Sequence, residues 1–276
     1  MLQASISKKL KIEGFGLHTG GYSSLILHPE GPDTGIWFVY RGKSIRAHFL
    51  NVVDTTRATS LGSDGVLIRT VEHLLASLYI LGIDNLTIEL IGNNELPILD
   101  GSGFHYFRLL RGNIRHFNKP KELASIQKPI KVELDKASIT AIPCEKPVFS
   151  YAGFIKGLFD LREVYFKGFA PQVIYARTFC YLEEVNNLLS QGFGKGASDK
   201  SVLVLHNGKP VNAKMRYIDE PLRHKLLDLI GDFALFGARA TFCIRSLMGN
   251  HRLNIELLKS LSLFATFSKS SFVSTP

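Results

Sequence analysis

Residues 70–82 have the sequence TVEHLLASLYILG, a short helical pattern bounded by a polar residue and a glycine. Thr70 is a candidate N-cap, and Gly82 is the kind of residue at which a helix ends. A helix is therefore predicted between them. Its first turn places the carboxylate of Glu72 beside the imidazole of His73, so two chemically useful groups share one helix end.

Residues 223–236, RHKLLDLIGDFALF, lie in a second predicted helix that spans about 221–236. His224, Asp228 and Asp232 are spaced at i, i+4 and i+8, so they form a polar stripe on one helix face. The residues around this stripe are mostly apolar. Charged side chains are costly to bury in such a helix unless they are paired or bind a metal. The stripe therefore indicates a functional site.

His73, His224 and Asp228 together are three ligands of the kind that hold a zinc ion and leave a fourth position open. Glu72 would then be a free carboxylate next to the water on the metal. A histidine and an aspartate four positions apart often arise by chance as an exposed hydrogen-bonded pair. A third polar cluster, GNHRLN at residues 249–254, adds another histidine. The combination predicts a zinc hydrolase.

The composition is that of an ordinary globular protein, with 276 residues, 45% hydrophobic and 21% charged. This length fits one large domain or two domains of about 120–150 residues. The three cysteines, Cys144, Cys180 and Cys243, lie far apart, so no disulfide framework is predicted and a reducing compartment is favoured. The N-terminus lacks the apolar core of a signal peptide, and no stretch approaches the length of a membrane span.

The formal net charge is +9, from 33 basic and 24 acidic residues. Such a charge favours solubility or attraction to an anion, such as a nucleotide, a nucleic acid or an acidic membrane surface. The basic residues are scattered, and they do not alternate with aromatic residues as in an RNA-binding sheet. A small phosphorylated substrate is therefore favoured over a nucleic acid.

One order of elements is predicted twice along the chain. It comprises a helix, a strand, a loop and a second helix, at residues 71–81, 86–91 and 103–112 in the first half and at 222–236, 240–244 and 251–263 in the second. This repeated order suggests two similar domains, over residues 1–122 and 126–276, each with a sheet and two helices. If the first helices face each other, His73 meets His224 and Asp228 at the domain interface, where active sites are common.

Alternating apolar patterns predict the remaining strands, at residues 5–13, 23–28, 36–40, 45–48, 58–61, 129–134, 137–142 and 148–155. Residues 157–175 are apolar and rich in aromatic side chains, and a further helix is predicted over 181–190. The tail from Ser268 to Pro276 is rich in serine and is predicted to fray.

These motifs together resemble the UDP-3-O-acyl-N-acetylglucosamine deacetylases of lipid A biosynthesis. Five segments match that family's pattern, at Gly14–Gly20, Asn51–Arg57, Thr70–Leu75, Pro97–Ser102 and Arg223–Asp232. Two more match less completely, Ala176–Phe179 and Gly249–Asn254. The resemblance covers essentially the whole chain in the right order, and the set of motifs is far more specific than any one of them.

The resemblance implies an α+β fold of two similar domains packed face to face, with the helices sandwiched between the sheets. It implies one zinc ion (Zn2+) bound by His73, His224 and Asp228. Glu72 would act as the base on the metal-bound water. The implied reaction is hydrolysis of the N-acetyl group of the UDP-sugar, which gives acetate and a free amine.

Other residues take supporting roles by the same resemblance. His251 would be a cationic stabiliser or acid that Asp232 orients, and Thr178 would donate a hydrogen bond to the oxyanion. Lys225 and Phe154 would contact the UDP portion.

Three further assignments concern the walls of the site. The segment near residues 158–169 would line the passage for the acyl chain. Phe179 is a candidate substrate contact, although a core position is the simpler interpretation. His18 either reaches the site or braces its glycine-rich loop.

The chain departs from the family pattern at three places. Asn250 stands where glycine usually precedes the histidine of the last motif, and Cys180 stands where glycine usually follows Ala176–Phe179. Glu183 and Glu184 lie where one aspartate is common. These differences affect details of the sugar contacts and leave the metal ligands intact.

Two alternatives stay open, a zinc amidohydrolase of another substrate class and a non-catalytic α/β module that binds nucleic acid. The deacetylase hypothesis predicts a cytoplasmic monomer with no integral membrane segment. It is compatible with transient contact with the inner-membrane surface. The sequence does not decide the preferred acyl length, zinc or iron as the metal, or whether Glu72 or His251 protonates the leaving amine.

Overall fold

A computed structural model describes residues 1–270 of the protein. Within these residues it has five α-helices, α1 (Glu72–Leu81), α2 (Phe104–Arg111), α3 (Val185–Ser190), α4 (Glu220–Ala234) and α5 (His251–Phe264). The strands of the first half are β1 (Leu2–Ile6), β2 (Leu10–Phe15), β3 (Tyr22–Pro29), β4 (Ile36–Tyr40), β5 (Lys43–Arg46), β6 (Val52–Asp54), β7 (Ser60–Ser63), β8 (Val66–Ile68), β9 (Leu86–Gly92) and β10 (Ile114–Pro120). The later strands are β11 (Glu122–Ser125), β12 (Ile130–Leu134), β13 (Ala137–Pro143), β14 (Phe149–Ile155), β15 (Phe159–Phe166), β16 (Phe179–Tyr181), β17 (Leu203–His206), β18 (Lys209–Pro210), β19 (Arg239–Ala240), β20 (Phe242–Leu247) and β21 (Thr266–Lys269).

Two five-stranded sheets share one topology. The first has the order β2-β3-β9-β4-β5, and the second has the order β12-β13-β20-β14-β15. In each sheet the third and fourth strands run parallel, and the other neighbours are antiparallel. A helix precedes the central strand and another follows it in both halves. The α+β prediction of two similar units is therefore confirmed at the level of topology.

Each half carries an insertion at the same point, between its last sheet strand and its first long helix. In the first half this is the three-stranded sheet β6-β7-β8. In the second half it is the sheet β16-β17-β18 together with α3. Both insertions therefore lie next to the N-terminal end of a central helix, where functional side chains are placed.

Helices α1 and α4 pack directly against each other between the two sheets, while α5 packs on β12 and β13. One hydrophobic core contains side chains from both halves, including Leu27, Leu75 and Phe233. Gly231 allows the close approach of the central helices, because a Cβ atom there would lie 2.1 Å from the carbonyl oxygen of Glu72. This contact brings the start of α1 against the polar face of α4.

The N-terminal strand prediction is wrong in its extent. Residues 5–13 were expected to form one strand, but β1 pairs with β10 while β2 pairs with β3 in the main sheet. Thr70 is not the N-cap either, since α1 begins after Val71 and Thr70 has a left-handed φ of 60°. Its hydroxyl donates a hydrogen bond to Glu95 Oε1 at 2.9 Å, and the hydroxyl does not cap the helix.

The prediction about cysteines needs a correction. Cys144 and Cys243 form a disulfide with their Cα atoms 5.8 Å apart. The pairing of β13 with β20 places Pro143 opposite Phe242, so it brings together two cysteines that are 99 residues apart in sequence. Linear spacing gave no sign of this contact.

The predicted frayed tail is only partly described. Residues 268 and 269 belong to β21, which pairs with β11, so the prediction is wrong there. Residues 271–276 lie outside the described part. The boundary predicted between residues 122 and 126 falls within β11 and stays a prediction. In the described residues no helix is long and apolar enough to cross a membrane.

Candidate active site

Three buried side chains from two helices meet at the contact of α1 with α4. The first turn of α1 supplies His73, and one face of α4 supplies His224 and Asp228. The Nε2 atoms of the two histidines are 3.0 Å apart, and an Asp228 carboxylate oxygen lies 3.4 Å from His73 Nε2. One potential ligand atom from each residue lies within 4.8 Å of the others. The sequence prediction of their convergence is therefore met by the geometry.

The donor atoms of this cluster fit a metal ion. Among residues 1–270, Asp228 Oδ1 is buried without a hydrogen-bond partner, and it lies 3.4 Å from His73 Nε2, one of the two facing ring nitrogens. Leaving buried polar atoms unsatisfied is costly, so such a set needs a further partner. Two imidazoles and a carboxylate are ligands that zinc accepts.

The electrostatics also fit metal binding. Burial holds the pKa of His224 well below its usual value, so the imidazole is neutral. Burial raises the pKa of Asp228, but the charge of Lys225 and a hydrogen bond from His73 outweigh it and hold the pKa well below its usual value. A neutral histidine and an ionised aspartate are the forms that bind metals.

A second set of side chains, Glu72, Asp228 and His251, also has atoms within 4.8 Å of one another. Two of its members are already held by protein groups. The backbone N–H of Thr59 donates to Glu72 Oε2 at 3.1 Å, and the ring Nδ1 of His251 lies 2.8 Å from Asp232 Oδ2. The first set is therefore the candidate metal site, and Glu72 and His251 lie beside it.

Glu72 is a carboxylate suited to proton transfer. It is 4% exposed, and burial raises its pKa to about 7 even though the nearby His251 and His73 favour the ionised form. A base with a pKa near the working pH is effective in acid–base catalysis. Its position next to His73 places it at the edge of the ligand cluster.

His251 is held in one orientation by a buried carboxylate. Asp232, which is fully buried, accepts hydrogen bonds from His251 Nδ1 and from Asn254 Nδ2, both at 2.8 Å. Burial lowers the pKa of His251, but the Asp232 charge outweighs this and raises it to about 9. The imidazole is therefore a cation at neutral pH. Asn250, the departure from the family pattern, is the N-cap of α5 and accepts from Leu253 N–H at 3.0 Å.

A cavity of about 900 Å³ opens at these groups. His224, Lys225 and His251 lie at one part of its wall. Another part is apolar and comes from the second-half insertion and nearby loops, with Leu17, Phe179, Val185, Leu188, Leu189, Phe193, Val202 and Val204. Four cations, Arg57, Lys195, Lys225 and Arg252, and two acids, Glu184 and Asp199, also line it. The cavity lining thus combines a large apolar set with more cations than acids.

Four of the residues predicted to contact substrate line this cavity, namely His18, Thr178, Phe179 and Lys225. The Phe179 ring packs edge-on against the His224 ring at 6.0 Å, and Lys225 Nζ lies 3.1 Å from Asp228. Phe154 is 56% exposed and lines a separate depression at the β14–β15 turn. The structure brings the first four together and leaves Phe154 apart.

His18 both lines the cavity and belongs to a braced loop. Its backbone N–H donates to Glu95 Oε1 at 2.8 Å, while both ring nitrogens are buried without a partner among the described residues. The ring packs edge-on against Phe193 at 5.2 Å. Burial lowers the pKa of His18. The two interpretations of His18 are therefore compatible.

The segment expected to form the acyl passage lies elsewhere. Residues 159–166 form β15, an antiparallel partner of β14 in the main sheet, and Leu161 is 67% exposed. The apolar cavity wall comes instead from α3 and its flanking loops. Residues 158–169 therefore do not line this cavity, and their aromatic composition also suits an edge strand that is buried on one face.

Two residues of the site were missed by the sequence analysis. Thr59 and Asn254 both contact Asp232. Asn254 was part of a quoted motif and lies one turn after His251 on α5, so its spacing could have indicated a shared helix face. Thr59 falls within the strand predicted over residues 58–61, although β7 begins only at Ser60, and a strand pattern gave no sign of a contact with Asp232.

The model of the UDP-3-O-acyl N-acetylglycosamine deacetylase family matches residues 3–263. The chain belongs to this family. A UDP-3-O-acyl-N-acetylglucosamine deacetylase from Aquifex aeolicus is 41% identical over 263 residues, which are 95% of this chain and 93% of the relative. Relatives of the same name from Thermodesulfovibrio yellowstonii and Wolinella succinogenes are 37% and 38% identical, and the matches cover 94% and 95% of this chain and 91% and 90% of theirs.

Proposed function

We propose that this protein hydrolyses the N-acetyl group of UDP-3-O-acyl-N-acetylglucosamine to give acetate and the free amine, a step of lipid A biosynthesis. The observation that carries the proposal is the buried cluster of His73, His224 and Asp228 with unsatisfied atoms beside a cavity. Family membership and the names of the relatives support the substrate. Of the hypotheses raised by the sequence, this one accounts for both observations.

Zinc is the metal we propose for this cluster, with one ion per chain. His73, His224 and Asp228 would hold it. When bound, it would polarise the amide carbonyl and lower the pKa of a water molecule to about 7. This donor set lacks cysteine, so a zinc site that retains an open position for catalysis is consistent with it.

The protein's own groups then divide the proton transfers. Glu72 takes a proton from the attacking water, which forms the new carbon–oxygen bond. The cationic His251 stabilises the negative charge that develops on the former carbonyl oxygen, and Thr178 donates a hydrogen bond to it. Cleavage of the carbon–nitrogen bond releases the amine once it gains a proton from Glu72 or His251.

The apolar and the cationic parts of the cavity lining suit the two ends of the substrate. The apolar wall around α3 would take the acyl chain, which gains about 0.8 kcal/mol per buried methylene. Lys225 and the other cavity cations would attract the diphosphate. Phe154 stays a candidate contact for the nucleotide. We propose a cytoplasmic monomer, because nucleotide-activated sugars are cytoplasmic compounds.

The proposal is tested by metal analysis and an acetate-release assay on the purified chain. We expect about one zinc per chain and release of acetate from the UDP-sugar that a chelator abolishes and added zinc restores. Bound zinc without acetate release would point to a hydrolase of another substrate class. A metal-free chain that binds RNA would favour the nucleic-acid module.

We expect the α3 wall to set the preference for acylated substrate. Leu188→Gln should lower kcat/KM for a substrate with a long 3-O-acyl chain by roughly ten-fold, the equivalent of ~1.4 kcal/mol of lost apolar contact. For a substrate with a 3-O-acetyl group, the kcat/KM of Leu188→Gln should equal that of the wild type. Leu161→Gln is the matched control, because Leu161 is exposed on β15. If Leu161→Gln had the larger effect, the passage would lie at residues 158–169 after all.

The pH dependence should report the Asp232–His251 pair. The wild-type rate is expected to fall at high pH as His251 loses its proton, since the cation is the active form. Asp232→Asn removes the charge that raises the pKa of His251, so the basic limb should move to lower pH and kcat should fall while zinc stays bound. Asp33→Asn removes an exposed ion pair with Lys119 and serves as a control. An unshifted limb with normal kcat would show that Asp232 does not act through His251.

A further inference from the structure

Thr59 occupies the space between the two acid–base groups of the site. It is fully buried, and it directly precedes β7 in the first-half insertion. Its hydroxyl lies 2.6 Å from Asp232 Oδ1 and 3.1 Å from His251 Nδ1. Its backbone N–H donates to Glu72 Oε2 at 3.1 Å. One residue therefore touches Glu72 on one side and the Asp232–His251 pair on the other.

The hydrogen-bond donors fix how this network is arranged. Asp232 has three partners, the Thr59 hydroxyl, the His251 ring and the Asn254 amide. An ionised carboxylate only accepts, so all three partners donate to it. The single proton of the Thr59 hydroxyl is then used on Asp232, and its oxygen remains an acceptor toward His251 Nδ1. The His251 Nδ1–H donates mainly to Asp232 Oδ2 at 2.8 Å and shares its proton with the Thr59 oxygen as a second, longer acceptor, so Nε2 is left for the reaction.

The position of Thr59 is itself fixed by α1. The Thr59 carbonyl accepts from the N–H of Val71, the residue at the N-terminal cap of that helix, at 3.2 Å. Glu72 and His73 follow directly in the chain. Thr59 is thus attached to the helix that carries Glu72 and, through its hydroxyl, to the helix that carries Asp232. The hydroxyl and the backbone of Thr59 thereby connect α1, α4 and the first-half insertion.

We propose that Thr59 is a positioning residue that sets the spacing and orientation of His251 relative to Glu72 in the proposed deacetylation. It does not touch the reacting atoms. Its backbone contact with Glu72 is kept by any side chain, whereas the contacts with Asp232 and His251 need the hydroxyl. The inference rests on the proposed function for its kinetic test, and the contacts that carry it are independent of substrate.

The hydroxyl can be tested separately from packing by two substitutions. Thr59→Val keeps the shape and loses the hydroxyl, while Thr59→Ser keeps the hydroxyl and loses a methyl group. We expect Thr59→Val to lower kcat by about 10–100-fold, the usual effect of losing a residue that orients a catalytic group, with KM little changed. Thr59→Ser should restore kcat to within about three-fold of the wild type. Both variants should keep one zinc per chain.

A readout other than activity tests the same contact. The proton on His251 Nδ1 should give a low-field NMR signal in the zinc-loaded protein, assigned by its absence in His251→Ala. We expect Thr59→Val to shift this signal and Thr59→Ser to leave it nearly in place. Ser5→Ala is the stability control, because Ser5 is a fully buried hydroxyl in β1 that accepts from Glu30 N–H at 3.0 Å.

Several outcomes would overturn the inference. A wild-type kcat in Thr59→Val would do so, as would equal loss in Thr59→Ser, which would indicate packing. A melting temperature or zinc content in Thr59→Val far below that of Ser5→Ala would assign a purely structural role. If the wild-type chain releases no acetate, the proposed function fails, and the NMR and zinc results still decide whether Thr59 orients His251.

Discussion

Replacement of Glu72 with glutamine is expected to lower kcat by roughly 10²–10⁴-fold, the usual contribution of a positioned acid–base group. In the wild type, Thr59 N–H donates to Glu72 Oε2. Glutamine has nearly the same shape and can keep this hydrogen bond. It cannot take a proton from water. Acetate release under saturating substrate, together with zinc content and KM, measures the effect.

The zinc content of Glu72→Gln separates two roles for this carboxylate. We expect one zinc per chain and an unchanged KM, because the metal is assigned to His73, His224 and Asp228. Glu89→Gln is the matched control, since Glu89 is a partly exposed carboxylate on β9 that pairs with His28 at 3.0 Å. Loss of zinc together with activity would make Glu72 a ligand, as in the competing set with Asp228 and His251.

Alanine at His73, His224 or Asp228 is expected to reduce bound zinc well below one per chain and to abolish measurable deacetylation. Each substitution removes one of only three protein ligands, and the lost atom comes from a buried position that no water-exposed group can fill. Metal content after dialysis, measured beside kcat/KM, reports both effects.

An exposed histidine supplies the control for this series. His116→Ala, on β10, should keep zinc and activity. Excess zinc in the assay should partly restore a variant whose remaining ligands still converge, because weaker binding is overcome by concentration. Full zinc occupancy in two of the three alanine variants would contradict the assignment of the metal to this cluster.

The elements that carry the site could be predicted because their signals are local. The polar stripe of His224, Asp228 and Asp232 on an apolar helix is a pattern within three turns of one helix. The repeated order of helix, strand and helix likewise predicted the shared topology of the two sheets. In both cases the physical cause, helical periodicity or burial of one face, acts between residues close in sequence.

The features that the sequence analysis did not predict depend on contacts between distant parts of the chain. Residues 158–169 were expected near the site but do not line the cavity, because apolar composition does not tell a sheet strand from a binding surface. The disulfide of Cys144 with Cys243 depends on the pairing of β13 with β20. Thr70 looked like a helix cap, but its hydroxyl donates to Glu95 across the fold.

The sequence by itself determined the two central helices, the positions of His73, His224 and Asp228 on them and the resemblance to a deacetylase family, since each rests on spacing along the chain. Only the tertiary structure decided which atoms meet. Gly231 lets α1 and α4 approach closely enough for His73 to reach His224, and the loop before β7 brings Thr59 to Asp232, 173 residues away in sequence. Such contacts leave no periodic trace, because they follow from how folded elements pack and not from the order of neighbouring residues.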